Sequence, residues 1–435
     1  MIGIIGAGIS GVTLAYFLEK AGVPYQLLEA SDRVGGYIRS KRLGKYLFEF
    51  GPNSVLCDAS TLQFIQQFIP ENEIITANEV SKARYIFRNG KYRKLPASPP
   101  SLVFNSFFSW QTKFQIISEF YRKSTGTPNE TLAQFFARRF NQEIVDYALN
   151  PFVTGIYAGN PDELLLEKTF PKLLGFEQEY GSILKGFIKN KSAERKQSVT
   201  FRNGIQELPQ KIAEKISHIR YNTKVRSIRK ANQKFHIQTK NDAFEFDKLV
   251  VAIPAFQFAD LYENTDSNFA QNLRKLNYPA MCAVHTVLKK SQTKFQFNGF
   301  GGLNPKKEGL FSAGSIWSSS VFQERCPEDE ILITSFVGGM QYAESVKLSD
   351  NEIKAKLTEE LQEIYKIEGK PVLQRLFRWQ NAIPQYDKNI LPIESKVKEL
   401  ERENLWICTN WVGGISITDR IYRAEELAQK LSNKS

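Results

Sequence analysis

No stretch of this chain restricts its fold more than residues 1–36. Ile2-Gly3-Ile4-Ile5 is a short apolar run of the kind that forms a buried parallel strand. It enters Gly6-Ala7-Gly8-Ile9-Ser10-Gly11, a GxGxxG turn, and then a helical pattern from Val12 to Lys20. A second short strand, Tyr25 to Leu28, ends at Glu29, and Asp32-Arg33-Val34-Gly35-Gly36 follows. In such a unit the first glycine allows the tight turn, the second lets backbone approach a pyrophosphate, and the third lets helix pack on strand. The phosphates sit at the helix N-terminus, where free N–H groups and the dipole favour negative charge. Glu29 falls where an acid accepts hydrogen bonds from the adenosine ribose and repels a 2′-phosphate. The acid does not separate NAD from FAD. Arg33-Val34-Gly35-Gly36 leans towards FAD, offering a cation and two bare backbone positions where a longer dinucleotide would run.

The chain has 435 residues, enough for more than one domain and a sizeable core. Its net charge of +12 calls for an acidic partner. Lysines and arginines are dispersed, and no basic run with interleaved aromatics marks a nucleic-acid groove. That leaves an anionic membrane surface or a polycarboxylate substrate, with merely solubilising charge as the plain alternative. Cys57, Cys282, Cys326 and Cys408 stand alone, which fits a reducing compartment and argues against a disulfide scaffold or structural zinc. His218, His236 and His285 lack metal-ligand spacing, so no metal is expected. The nucleotide strand starts at residue 2, so no leader is expected, and no apolar run has transmembrane length.

Further along, Tyr37 to Leu43 and Tyr46 to Phe50 alternate around Gly44-Lys45 as a β-hairpin. It runs into Gly51-Pro52-Asn53-Ser54, a turn expected to open a helix; Gly51 is either hairpin punctuation or a place where backbone meets a flat ring. A second hairpin turns at Asn89-Gly90 and is opened by Arg84. From Ser98-Pro99-Pro100 to about Lys189 the pattern is helical. Leu102, Val103, Phe104, Phe107, Phe108, Trp110, Phe114, Ile116, Ile117 and Phe120 crowd into one segment edged by Lys113, Arg122 and Lys123. It reads equally as a core helix or as an amphipathic element lying in a bilayer interface. Asn150 to Pro161 reads as a structured loop between helices. Ile219 to Ile228, Lys234 to Thr239 and Ala243 to Phe246 form a meander feeding the buried run Lys248 to Ile253, which implies a discontinuous nucleotide domain. Met281 to Gly339 reads as a large antiparallel sheet. Leu405 to Cys408 is a short strand followed by Gly413-Gly414 and a helix whose apolar residues run from Ile417 to Leu431, with Ser416 or Thr418 as N-cap.

These residues together resemble the oxygen-using, flavin-dependent protoporphyrinogen oxidases over nearly the whole chain. The shared runs are Gly6 to Gly11 with Glu29 and Arg33 to Gly36, Gly51-Pro52, and Pro151 to Gly159. Phe170-Pro171-Lys172 through Ser182, Gly299 to Leu303, and Ile383 to Tyr386 are further ones. The first set is common to amine oxidases and carotenoid desaturases; the middle runs are particular to porphyrinogen oxidation. Thr409 and Asn141 stand where the family usually has glycine.

The resemblance implies an α/β plus α+β fold in three parts. A Rossmann-like FAD domain takes residues 1–74, 222–262 and 398–435; a substrate domain on a large mixed or antiparallel sheet takes 195–221 and 263–397; a mostly helical substrate-channel and membrane-binding domain takes 75–194. It implies flavin contacts at Gly6, Ala7, Gly8, Ile9, Ser10, Gly11, Glu29, Ala30, Arg33, Gly36, Tyr37, Gly51, Pro52, Asn53, Ser54, Val225, Ile415, Ser416 and Ile417. On the substrate it places Arg84 against a propionate, Leu303 and Ile316 around one pyrrole ring, Phe336 on another, and Gly155 nearby. The implied reaction takes protoporphyrinogen IX to protoporphyrin IX in three two-electron flavin cycles, with molecular oxygen as acceptor and peroxide as product. No side chain is expected to act as catalytic base, since the chemistry centres on the flavin. Coproporphyrinogen III, or an amine or carotenoid, is the alternative substrate. The expected setting is cytoplasmic, peripheral on the inner face of the cytoplasmic membrane, with a homodimer among the assemblies allowed and nucleic acid excluded.

Overall fold

The computed structural model describes residues 1–96, 104–122, 126–190 and 196–433. Ile2–Ile5 lies at the centre of a five-stranded parallel sheet, between Tyr25–Leu28 and Lys248–Val251. Ile219–Arg220 and Leu405–Ile407 extend it at the two edges. Helices Ile9–Lys20 and Ile417–Ser432 cover one face through Val12, Leu14, Leu18, Ile421, Ala424 and Leu431. Ala255–Tyr262, Ser267–Lys275 and Ile390–Arg402 cover the other through Phe258, Phe269, Leu273, Ile393 and Val397. Burial on both faces is why the strands read as unbroken apolar runs. All five strands run the same way, so the turns after them gather at one edge, and the chain's progress across the sheet reverses at Ile2–Ile5. That is where ligands enter open parallel sheets.

The meander is shorter than its sequence pattern. Asn222 takes a left-handed φ of 52°, so Ile219–Arg220 joins the parallel sheet, and the antiparallel trio is Ser227–Ala231, Lys234–Gln238 and Ala243–Phe246. The turn at Gly51–Ser54 opens no helix. Val55–Cys57 continues extended, held by Gln197–Phe201, which also pairs with Ile74–Thr76. The helix Ala59–Gln66 waits for Asp58, whose carboxylate accepts from Thr61 N.

The largest sheet has seven strands. Leu373–Trp379, Met281–Lys289, Glu330–Gly338, Gly314–Ile316 and Gly301–Leu303 are antiparallel neighbours in that order. Beyond them Gly301–Leu303 pairs in parallel with Tyr85–Arg88, whose hairpin partner Lys91–Lys94 closes the edge, so the sheet is mixed rather than wholly antiparallel.

Trp110–Ser118, Leu132–Arg139, Asn150–Tyr157, Pro171–Tyr180 and Ile183–Lys189 form a helical layer beside this sheet. The loop expected from Asn150 to Pro161 is a helix as far as Tyr157. Val145–Leu149 makes a π turn that leads into it, and Pro151 sits in the first turn, where its missing N–H is not needed. Asn141 is extended, with φ −164°, and caps Ile144 N, so the glycine it replaces is not missed for its conformation. Ser98 to Pro100, Leu102, Val103 and Lys123, part of the crowded apolar segment, lie outside the described residues.

Candidate active site

The turns at the edge of the parallel sheet shape a cradle for a dinucleotide. Gly6 has φ +101°, and its N–H donates to Leu28 O at 2.8 Å. A Cβ on Gly11 would lie 1.9 Å from Gly6 O, so only glycine lets the helix rest on the strand. Gly8 precedes helix Ile9–Lys20, which has no side-chain cap and no acidic residue in its first turn. A Cβ added at Gly8 would meet open space, and one added at Gly36 would touch Gly8 Cα at 3.3 Å. Uncapped N–H groups behind two bare backbones, with Ala7, Ile9 and Ser10 between, are what a pyrophosphate requires.

Glu29 and Arg33 hold this cradle together. Glu29 accepts from Ala7 N at 2.7 Å with Oε2 and from Ser31 N at 2.8 Å with Oε1, while Ala30 beside it is exposed. Thr223 N donates to Glu29 O, which brings buried Val225 to the same edge. The Arg33 guanidinium donates to the carbonyls of Val34, Ile38 and Gly36, and its burial lowers its pKa. It braces the Gly35-Gly36 turn and is less a free cation than the sequence suggests.

The far end of the chain completes the edge. Gly413 and Gly414 take φ of 76° and 103° and deliver Ser416, which caps helix Ile417–Ser432 in a capping box with Asp419. Thr418 Oγ1 donates to Leu56 O at 2.8 Å, tying this helix to the strand that follows Pro52, Asn53 and Ser54. Two residues here have roles that the sequence reading did not assign. Arg420, buried, donates to the carbonyls of Thr409, Val412 and Gly413, and so fixes the path of the chain where Thr409 replaces a glycine. Tyr386 Oη donates to Asn410 O and accepts from Gly414 N at 3.0 Å. Tyr386 closes the shared run Ile383 to Tyr386, which gives it no role, and a lone arginine one turn into a helix, like Arg420, reads as solvated.

Against this edge stands one face of the seven-stranded sheet. Leu303 pairs with Gly314 and Gly314 with Phe336, while Gly301 pairs with Ile316 and Ile316 with Thr334. Residues directly opposite share a face, so Leu303, Ile316 and Phe336 point the same way. Gly314 between Leu303 and Phe336 leaves a slot that a flat ring fits. Arg84, two residues before Ile86, which pairs with Leu303, falls on that face too. Its guanidinium lies 3.8 Å from the Phe300 ring centre and donates to Ser81 O, burial lowers its pKa, and among the described residues no carboxylate pairs with it. Gly155 backs the face: a Cβ there would come within 2.9 Å of Leu303 Cδ2.

Sheet and cradle touch. Leu303 and Ile415 flank one apolar cluster with Tyr157 and Tyr386. Phe336 and Trp379 flank another, and Trp379 rests on Tyr37 with ring centres 4.9 Å apart while its Nε1 donates to Phe50 O. Gly51 is the close approach there, since its Cβ would sit 2.0 Å from Tyr37 O.

The model of the family described as flavin-containing amine oxidoreductase matches residues 9–413. The chain belongs to that family. It is an FAD-dependent oxidoreductase. Among curated relatives, protoporphyrinogen oxidase 2, chloroplastic/mitochondrial, of Arabidopsis thaliana is 31% identical, covering 96% of this chain and 90% of its own. The coproporphyrinogen III oxidase of Bacillus subtilis is 25% identical over 91% of this chain and 89% of its own. Among solved structures, a protein of Exiguobacterium sp. 255-15, named provisionally as a protoporphyrinogen oxidase, superposes with a TM-score of 0.84 at 19% identity, covering 100% of this chain and 99% of that one. That likeness concerns the fold. In a flavin-containing amine oxidoreductase, the bare Gly8 and Gly36 backbones and the uncapped helix suit the FAD pyrophosphate.

Proposed function

We propose that this oxidoreductase converts protoporphyrinogen IX to protoporphyrin IX. One observation carries the reading: Arg84, exposed and unmatched by a carboxylate among the described residues, shares a sheet face with Leu303, Ile316 and Phe336. A planar fork of donors suits a propionate, and apolar side chains beside a glycine slot suit a macrocycle. The relatives' names point the same way. Bound FAD supplies the two-electron oxidising power, and oxygen is the proposed final acceptor, giving peroxide.

The protein's own part is to bind and orient. Gly6 to Gly11, Glu29, Ala30, Arg33, Gly36, Val225 and Ser416 are proposed to hold the dinucleotide. Tyr37, Gly51 to Ser54, Ile415 and Ile417 would border its ring, and Leu303, Ile316, Phe336 and Gly155 would keep the macrocycle dry and flat. The three-part division given by the resemblance is proposed with this reading: the cradle falls in the first part, Leu303, Ile316 and Phe336 in the second, and Arg84 and Gly155 in the third.

The helical part is proposed to rest on an anionic membrane surface. Trp110, Phe114, Ile117 and Tyr121 recur on one side of the helix and its final turn and are exposed by 74%, 72%, 54% and 84%, whereas Phe107 and Phe108 are buried. Phe187 and Ile188 are exposed on helix Ile183–Lys189, whose first N–H groups donate to Glu119 at the start of the same turn, with Lys185 and Lys189 alongside. The crowded segment thus divides between core and surface. No helix among the described residues is long and apolar enough to cross a membrane.

The test is spectroscopic. The purified protein should carry a flavin absorbance band that bleaches on anaerobic addition of protoporphyrinogen IX. A band that stays unbleached, yet bleaches with an amine, would assign the fold a different substrate.

A further inference from the structure

Beneath Ile316 lies a cavity whose chemistry the contacts above leave unused. It measures about 10 Å³ and is lined by Glu49, Asn53, Ile316, Ser318, Arg325 and Thr334, among others. That is about the room one water needs, and the walls offer it polar partners. Those walls belong to both halves of the site: Ile316 and Thr334 are opposite on the substrate face, and Asn53 lies in the turn after Gly51.

Glu49 ends the hairpin strand Tyr46–Glu49. Its Oε1 accepts from Arg325 Nη1 at 3.2 Å and from Ile205 N at 3.0 Å, and its Oε2 accepts from Ser40 Oγ. A carboxylate has about four acceptor positions, which leaves one for a water. Burial pushes the carboxyl up to about 7, against the pull of Arg325, the Ser40 hydroxyl and the Ile205 N–H. The charged groups around it are few. Arg325 faces it directly, with Arg42 and Glu324 acting on Arg325, and His285 lies behind the strand, kept neutral by burial. Ser318 Oγ is 2.8 Å from Thr334 Oγ1, which is 3.0 Å from His285 Nδ1, so hydroxyls line the way.

Porphyrinogen oxidation needs a proton acceptor. In each two-electron step a C–H bond at a bridging carbon breaks, and both electrons leave with the hydride for the flavin. The macrocycle then carries one positive charge until it gives up a proton, in the first two steps from a pyrrole N–H and in the third from the last bridging CH2, the electron pair of the broken bond staying in the new double bond. Resting on the function proposed above, we infer that the Glu49 carboxylate takes this proton through a single water held in the cavity beneath Ile316. One hydride and one proton thus leave the substrate, oxygen takes up both as peroxide, and Glu49 returns to its carboxylate.

The experiment follows the anaerobic rate of flavin bleaching by protoporphyrinogen IX against pH in the wild-type holoenzyme, Glu49→Gln and Ser40→Ala. The wild-type rate should rise through an inflection near neutrality. Glu49→Gln should keep its flavin band and its reoxidation by oxygen, lose the inflection, and bleach about 100-fold more slowly, the low end for a lost general base. Ser40→Ala removes a hydrogen bond that favours the carboxylate, so its inflection should move to higher pH. A wild-type rate and profile in Glu49→Gln would overturn the inference. If Glu49→Gln loses its flavin, Ser40→Ala decides alone: a shifted inflection supports the role and an unmoved one overturns it, since a purely structural ion pair would change melting and not the profile. A wild-type flavin that porphyrinogen never bleaches would fail the proposed function itself, a result distinct from all of these.

Discussion

At the scale of single residues, Arg84 and His285 test two different environments, one open to solvent and one closed to it. Arg84 is an exposed cation stacked on Phe300 and proposed to meet a substrate carboxylate. A charge-assisted hydrogen bond is worth about 1.5–3 kcal/mol, so Arg84→Ala should raise KM for protoporphyrinogen by roughly 10- to 100-fold while FAD retention stays intact. Equal loss of both would make Arg84 a folding residue. His285 is fully enclosed by Phe48, Phe50 and Thr334, and burial lowers its pKa from 6.5 to about 3. Below 6.5 the unfolded chain binds a proton that the folded chain refuses, so stability present above that pH drains away as pH falls towards 3. Melting temperatures of wild type and His285→Gln across that window should therefore converge as pH falls; parallel curves would contradict it. Glu49 shows why such residues hide in a sequence. Between Phe48 and Phe50 in a hairpin, an acid reads as the solvent face, and it is Arg325 and the Ile205 backbone, distant in the chain, that reach it besides its hairpin neighbour Ser40.

At the scale of elements, local rules succeeded where local physics decides. Gly6 and Gly11 announce their turn because no other residue fits it, and Ser416 announces a helix because its hydroxyl reaches Asp419 N. They failed where a distant partner decides. Val55–Cys57 is a strand because Gln197–Phe201 reaches it, and the helix at Asn150–Tyr157 follows a π turn that Pro and Gly disguise. Helix Trp110–Ser118 carries the element-scale prediction. Changing both Trp110 and Phe114 to Glu should abolish retention on phosphatidylserine-containing vesicles at low salt, with flavin content unchanged. Undiminished retention would place the membrane contact elsewhere.

At the scale of the molecule, the cradle that opens the chain is only half of the proposed site. The parallel sheet brings Gly6 to Gly11, Val225 and Gly413 to Ile417 to one edge, though more than 400 residues separate the first from the last. The seven-stranded sheet then sets Arg84, Leu303, Ile316 and Phe336 across from it. Periodicity and glycine spacing reveal the cofactor half, because a nucleotide binds through local backbone. The proposed substrate half joins strands from residues 85 to 338, and a list of apolar residues does not say which share a face until register is known. The most direct measurement supplies the purified protein, in air, with protoporphyrinogen IX and, side by side, coproporphyrinogen III, counting porphyrin fluorescence and peroxide. Protoporphyrin should form faster than coproporphyrin, with three peroxides for each porphyrin. If neither porphyrinogen is oxidised faster than in protein-free buffer, the account is wrong.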